Sequence, residues 1–324
     1  MKTTANRFLI AMTFIMFMFY GCSKMSDLNS SGNLPVPNPT ADGKHVYGLL
    51  PMTPDQFADL PLFSKETFPP TMKLKAALAG SYTITWNPAV RDQGQIGSCT
   101  AFCGAEVDEI LYHFKPVPHD SILSPAFIYY CERVLILKQK ITADNGAYMV
   151  NIPQALQKYG DCQEIKYPYP SSNTSTAYKT APSGSALNDG LNFRIGQNKT
   201  SYSVINTGDV AGVKALLAVN IPVMMGFNVY DNTSTYKYFE GLNNTSYIYN
   251  PLTTSGALAS GVRLLGGHAT PIIGYDDVFG GGSFLVQNSW GTSWGKAGFF
   301  YMPYTVFQST KIVPAGNCYV AYLN

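Results

Sequence analysis

The spacing of apolar residues changes character near the middle of the chain. In the first half it is helical. Cys103, Val107, Ile110, Leu111 and Phe114 recur at intervals of three and four, which predicts a helix running from Cys99 and stopped by Pro116. On that reading Glu106, Asp108 and Glu109 lie off the buried face. Further helices are expected over 124–140 and 147–159, the second ending at Gly160. Residues 170–190, rich in Ser, Thr, Asn and Gly, read as a loop. In the second half one short helix, Asp209 to Val219, precedes a series of β-rich runs: Val223–Val229, Ala269–Tyr275, Ser283–Asn288, Phe299–Pro303 and Cys318–Leu323. Gly280-Gly281-Gly282 is followed by another strand-like run, so it predicts a hairpin turn and not a phosphate loop. Helices first and strands second make an α+β arrangement, expected in two lobes.

The N-terminus follows neither pattern. Lys2 and Arg7 precede an apolar run from Phe8 to Tyr20, too short to span a bilayer as a helix. It ends at Gly21-Cys22, which resembles a bacterial lipobox, with residues 1–21 as signal peptide and Cys22 as the lipidated first mature residue. Phe19 and Tyr20 depart from that pattern, and simple secretion is the alternative. Ser23 after the cysteine favours the outer membrane or cell surface as destination. Residues 22–45 are polar and rich in Pro, Ser and Asn, and predict a flexible, lipid-anchored tether. Residues 46–85, with several prolines and short apolar patches, predict an extended segment over a main domain beginning at 86.

Composition narrows the function. Net charge is +2 and no basic run occurs, which excludes nucleic acid as a partner. No Cys/His spacing typical of zinc is present, so neither a metal nor another cofactor is expected. Of six cysteines, Cys22 is assigned to the lipid; Cys103, Cys131, Cys162 and Cys318 can be buried thiols or pair in three ways.

Cys99 stands apart. In Gln93-Gly-Gln-Ile-Gly-Ser-Cys-Thr-Ala-Phe102 it sits where a glycine-rich approach meets a helix, and unpaired N–H groups there favour a thiolate. A nucleophilic thiol also needs a base and a group to orient it. Of four histidines, His45 falls in the tether and His113 and His119 lie at a helix and a turn. His268 enters a strand after two glycines, which permit close approach of another backbone. Taken singly, such a cysteine is more often core and such a histidine more often structural. A third segment, Val286-Gln-Asn-Ser-Trp-Gly-Thr-Ser-Trp-Gly, changes that balance.

Together the three segments resemble the papain family of cysteine peptidases. Weaker similarities, "SPAFIYY", "ALQKYGDCQEIKYPY" and "IPVMMGFNVY", lie between them, and the match runs in order from about Trp86 to the C-terminus. The resemblance implies a two-lobed fold: a helical lobe (about 86–205), a β-barrel-like lobe (about 206–324) and the active site between them. It implies Cys99 as nucleophile, His268 as general base and acid, Asn288 as the residue orienting His268, Gln93 as oxyanion donor and Trp290 as a shield over the His–Asn pair. The activity implied is endopeptidase cleavage through a Cys99 thioacyl-enzyme; the alternatives are a silent surface peptide-binding protein on the same fold, or acyl transfer. The partners expected are a peptide or protein substrate and the membrane, through Cys22, with the protein a monomer. Two positions depart from the family: Ile96 replaces a disulfide-forming cysteine and Thr100 a tryptophan. The Tyr- and Asn-rich stretch 231–262 is an insertion expected to form a cleft wall or a surface hairpin.

Overall fold

A computed structural model describes residues 38–64, 78–116, 118–170, 177–196, 201–242 and 247–323. Its first elements lie where a flexible tether was expected. Strand β1 (Asn38–Pro39) turns back onto β2 (Val46–Tyr47), with Asn38 opposite Tyr47. Thr40 and His45 are buried, so the chain is packed from residue 38 onward and the tether cannot extend to 45. Cys22 and the signal segment lie outside the described residues. Strand β3 (Ser81–Thr83) follows.

Helix α1 (Cys99–His113) is buried on almost every side; only His113 of its fifteen residues is not. The expected apolar stripe is there, but Glu106, Asp108 and Glu109 are buried as well and Phe114 is partly exposed. The reason is packing on two flanks. One side of α1 meets the sheet, and the other meets α2 (Pro125–Tyr130) and α3 (Asn151–Lys158). Helix α2 opens with Ser124, whose hydroxyl accepts the Phe127 N–H, and with Pro125 in its first turn. It passes into a π-helical turn over Cys131–Ile136, so the single helix expected to residue 140 is broken. Helix α4 (Gly184–Gly190), capped by Ser183, lies in the stretch expected to be loop. Strand β4 (Tyr202–Val204) and helix α5 (Val210–Leu217), capped by Asp209, lead into the sheet.

The sheet holds β5 (Val223–Asn232), β6 (Val262–Asp276), β7 (Ser283–Gln287), β8 (Phe299–Pro303) and, after the short α6 (Tyr304–Phe307), β9 (Cys318–Ala321). All five predicted strands are present. The order is β4-β9-β5-β6-β7-β8, antiparallel throughout, with β3 also on β6. Among the described residues β4 and β8 do not pair, so the sheet is α+β in kind but not a closed barrel. Since β4 precedes residue 206, the strand-rich half also begins earlier than the expected boundary. Gly280, Gly281 and Gly282 all have positive φ in a turn between β6 and β7, where glycine is the residue that fits.

Candidate active site

The loop before α1 places Cys99. Gly94 (φ +55°) turns the chain, and the loop is held without a disulfide. Ile96 is buried, the Gly97 N–H donates to Asp144 Oδ1 at 3.1 Å, and the Ser98 hydroxyl meets Tyr169 Oη at 2.7 Å. Tyr169 in turn donates to the Gln93 carbonyl at 2.8 Å. At Thr100, where the family tryptophan is missing, the hydroxyl donates to Glu132 Oε2 at 2.8 Å beneath the nucleophile position. The nearby backbone N–H groups of Gly48, Ala269 and Thr100 favour the Cys99 thiolate, yet complete burial outweighs them and pushes the thiol up to about 12.

His268 precedes Ala269 on β6, the strand that packs against α1. Its Nε2 donates to Asn288 Oδ1 at 2.7 Å. The Ser289 N–H donates to that same oxygen at 2.9 Å, which fixes the amide orientation and hence the histidine tautomer. Nδ1 is left buried and without a partner. Burial lowers His268 to about 4, against the opposing hydrogen bond of Asn288. The cause is an aromatic box: Trp290 at 5.2 Å, Phe227 at 5.8 Å, Phe239 at 5.9 Å and Tyr47 at 6.2 Å between ring centroids. Gln93 is equally fixed. Ser289 Oγ donates to its Oε1 at 2.7 Å, which turns Nε2 towards the site.

The structure thus brings together Cys99, His268, Asn288, Gln93 and Trp290. His113 stacks on Trp86 at the far end of α1, and His119 meets Phe193 edge to face. The five described cysteines, Cys99, Cys103, Cys131, Cys162 and Cys318, are all buried and free. Among the described residues no group of three or more His, Cys, Asp or Glu could hold a metal ion.

What the sequence did not reveal is the segment lying in the cleft. Gln93 Nε2 donates to the Val46 carbonyl at 2.9 Å. The Gly48 carbonyl accepts the Ala147 N–H at 3.1 Å, and the Gly48 N–H lies near enough to Cys99 to favour the thiolate. Leu49 N–H donates to the Gly267 carbonyl at 3.1 Å, and Leu50 N–H to that of Ala147 at 2.9 Å. Only glycine fits at 48, because a Cβ there would lie 1.9 Å from the Gly97 carbonyl oxygen. His45, assigned to the tether by its polar surroundings, stacks on Trp290 at 4.7 Å. The available signal was the compact run Val46-Tyr-Gly-Leu-Leu50 after a polar stretch. The segment thus covers each candidate site group: its backbone meets Cys99 and Gln93, and aromatic rings surround the His268 imidazole.

The sequence profile of the papain family of cysteine proteases matches residues 83–318. The chain belongs to the papain family. As a cysteine peptidase it is a hydrolase. A peptidase C1-like protein of Acanthamoeba polyphaga mimivirus is 26% identical over 276 residues, covering 80% of this chain and 81% of that one. The cathepsin B-like CP2 of Giardia intestinalis is 30% identical over 227 residues, 66% of this chain and 64% of its own length. Among solved structures, xylellain, a cysteine protease from Xylella fastidiosa, aligns with a TM-score of 0.70 at 29% identity, covering 86% of this chain and 96% of that one. The papain-family match begins at 83, so the cleft segment at 45–50 lies upstream of the region that defines this peptidase.

Proposed function

We propose that the protein is an endopeptidase that cleaves peptide bonds through a Cys99 thioacyl-enzyme, and that residues 38–50 hold it latent. The observation that carries the reading is the arrangement of three groups. The Cys99 sulfur lies against the Ala269 N–H, its neighbour His268 is anchored by Asn288 at Nε2, and His268 Nδ1 is unpaired. In the shut cleft thiol and imidazole are both neutral, since burial disfavours either charge. When the segment leaves, water reaches the pair and the thiol proton passes to Nδ1. The thiolate attacks the scissile carbonyl. Gln93 Nε2, released from Val46, and the Cys99 backbone N–H stabilise the oxyanion. His268 gives the proton to the leaving amine, and water then hydrolyses the thioester with His268 as base. Asn288 keeps the imidazole aligned, and Trp290 shields that hydrogen bond.

The test is labelling by an epoxide or vinyl-sulfone thiol probe after the segment is displaced or cut. Labelling at Cys99, absent in Cys99→Ala and weakened in His268→Ala, is expected together with peptide hydrolysis. Resistance of Cys99 to the probe removes the enzyme reading. We also propose that the mature protein is exported and anchored to the bacterial outer membrane or cell surface through Cys22. Incorporation of a labelled fatty acid, lost in Cys22→Ala, checks this.

A further inference from the structure

The segment in the cleft is extended; His45 meets the Trp290 ring, Tyr47 the His268 ring, and Leu49 the Gly226 and Gly267 backbone, so it acts as a cast of the groove. Its two ends meet different chemistry. Leu49 packs against Gly226, Met149 and Gly267, an apolar pocket. His45 lies flat on the Trp290 indole, with 10° between the rings, and its Nε2 donates to Asp92 Oδ1 at 3.1 Å. The two walls around His45 are built independently of it. Asp92 pairs with Trp290 in an antiparallel β-bridge, and its Oδ1 also accepts the Gly94 N–H at 2.8 Å. The carboxylate thus stays aimed when the segment leaves. The neighbouring Arg91 does not neutralise it, because that guanidinium is turned to Glu109 and the Leu123 carbonyl. A second carboxylate, Glu240, accepts from Tyr47 Oη at 2.8 Å and from the Ala41 N–H at 2.9 Å, so this end of the groove is acidic as well as aromatic.

We propose that Asp92 and Trp290 form a subsite for a planar cationic side chain of the substrate, arginine above all, and that His45 occupies it in the latent chain. The inference rests on the peptidase reading. An aromatic face attracts a cation, and a guanidinium can stack on it while donating to a carboxylate at its edge; the compact ammonium of lysine does this less well. The subsite makes Asp92 a specificity residue at the Trp290 end.

The test uses the full-length chain with Gly48→Val, in which the segment cannot thread past Gly97, and a mass-mapped peptide library. Arginine is expected at one fixed position on the Trp290 side of the cleaved bond. Asp92→Asn should lower the kcat/KM ratio of the arginine peptide to its glutamine counterpart about tenfold, and Asp92→Glu should keep part of the preference. Equal cleavage of both peptides overturns the subsite but leaves the peptidase; cleavage of no peptide overturns both. A second measurement needs neither turnover nor the Gly48 variant. In the intact chain, His45→Arg should slow alkylation of Cys99 about tenfold relative to His45→Gln, and the gap should vanish with Asp92→Asn. Equal rates for His45→Arg and His45→Gln with Asp92 intact, or a gap that survives Asp92→Asn, overturn the proposal.

Discussion

Gly48 shows how much a single residue decides. It passes between the Gly97 and Gly146 backbones, where a side chain has no room, and there its N–H lies near the Cys99 sulfur, the proposed nucleophile. A peptide bond presented to Cys99 for cleavage must bring its carbonyl carbon to the sulfur; Gly48 brings a donor instead, and this contact gives no acylation. The consequence is measurable through the thiol. With Cys99 pushed up to about 12, its alkylation in the intact chain should rise about tenfold per pH unit through neutrality without reaching a plateau. Gly48→Val should raise the rate at neutral pH by at least about tenfold and bring a plateau at low pH, as the thiolate–imidazolium pair forms. A rate unaltered by Gly48→Val means that something other than this segment shuts the thiol. Gln93→Ala tests the oxyanion role separately: kcat of the opened enzyme should fall roughly a hundredfold, as for loss of one preorganised donor.

At the scale of elements, the insertion between β5 and β6 is organised by one buried carboxylate. Asp231 accepts the N–H groups of Asn232, Tyr238, Phe239 and Glu240 at 2.7–2.9 Å. That loop sets Phe239 under His268 and Trp290, and Trp294 Nε1 donates to the Phe239 carbonyl at 3.1 Å. It also sets Glu240 against the cleft segment. Asp231→Ala should destabilise the protein by roughly 2–4 kcal/mol, since several buried donors lose their acceptor, and should loosen the segment. Urea unfolding and Cys99 alkylation measure the two effects; a loss below about 0.5 kcal/mol would mean the loop is held by its aromatic residues alone. The stretch 231–262 is thus more than a surface hairpin, because Phe239, Leu242 and Tyr249 are core residues. Its position before His268 was legible in the sequence, as were α1, the five strands and the Cys–His–Asn constellation, because apolar period and ordered motifs are local signals. The burial of Glu106, Asp108 and Glu109 was not, since period shows which face is apolar and not what covers the other face. The cleft segment was hidden for a related reason: its contacts are mostly backbone hydrogen bonds, which leave little mark on residue type.

Those covered faces set how the whole molecule responds to pH. Burial raises Glu106 to about 8, Glu109 to about 7 and Glu132 to about 8, and holds Asp108 and Asp161 well above the usual carboxylate range. A carboxyl raised in the folded state keeps its proton where the unfolded chain has lost it. Stability therefore falls as pH rises from the unfolded value near 4.5 towards the folded one, by up to about 1.4 kcal/mol per pH unit for each such group. His268 acts the other way. Buried and lowered from 6.5 to about 4, it costs stability as pH falls through that interval, but it is one group against those five and against Asp144, Glu164 and Glu240, which burial also raises. The carboxylates held below their usual range, Asp42, Asp92 and Asp277, exert their effect only in stronger acid. The protein should melt highest near about pH 4.5 and lose stability steadily to about pH 8, as Glu109, Glu106 and Glu132 ionise in the folded state. Thermal melts of Cys99→Ala across that range, at constant ionic strength, measure the slope free of self-digestion. Glu106→Gln with Glu132→Gln should flatten it, because an amide in the same place has no proton to lose. A melting temperature that climbs from pH 5 to 8 would show that these carboxyls are ionised and paired in the folded protein.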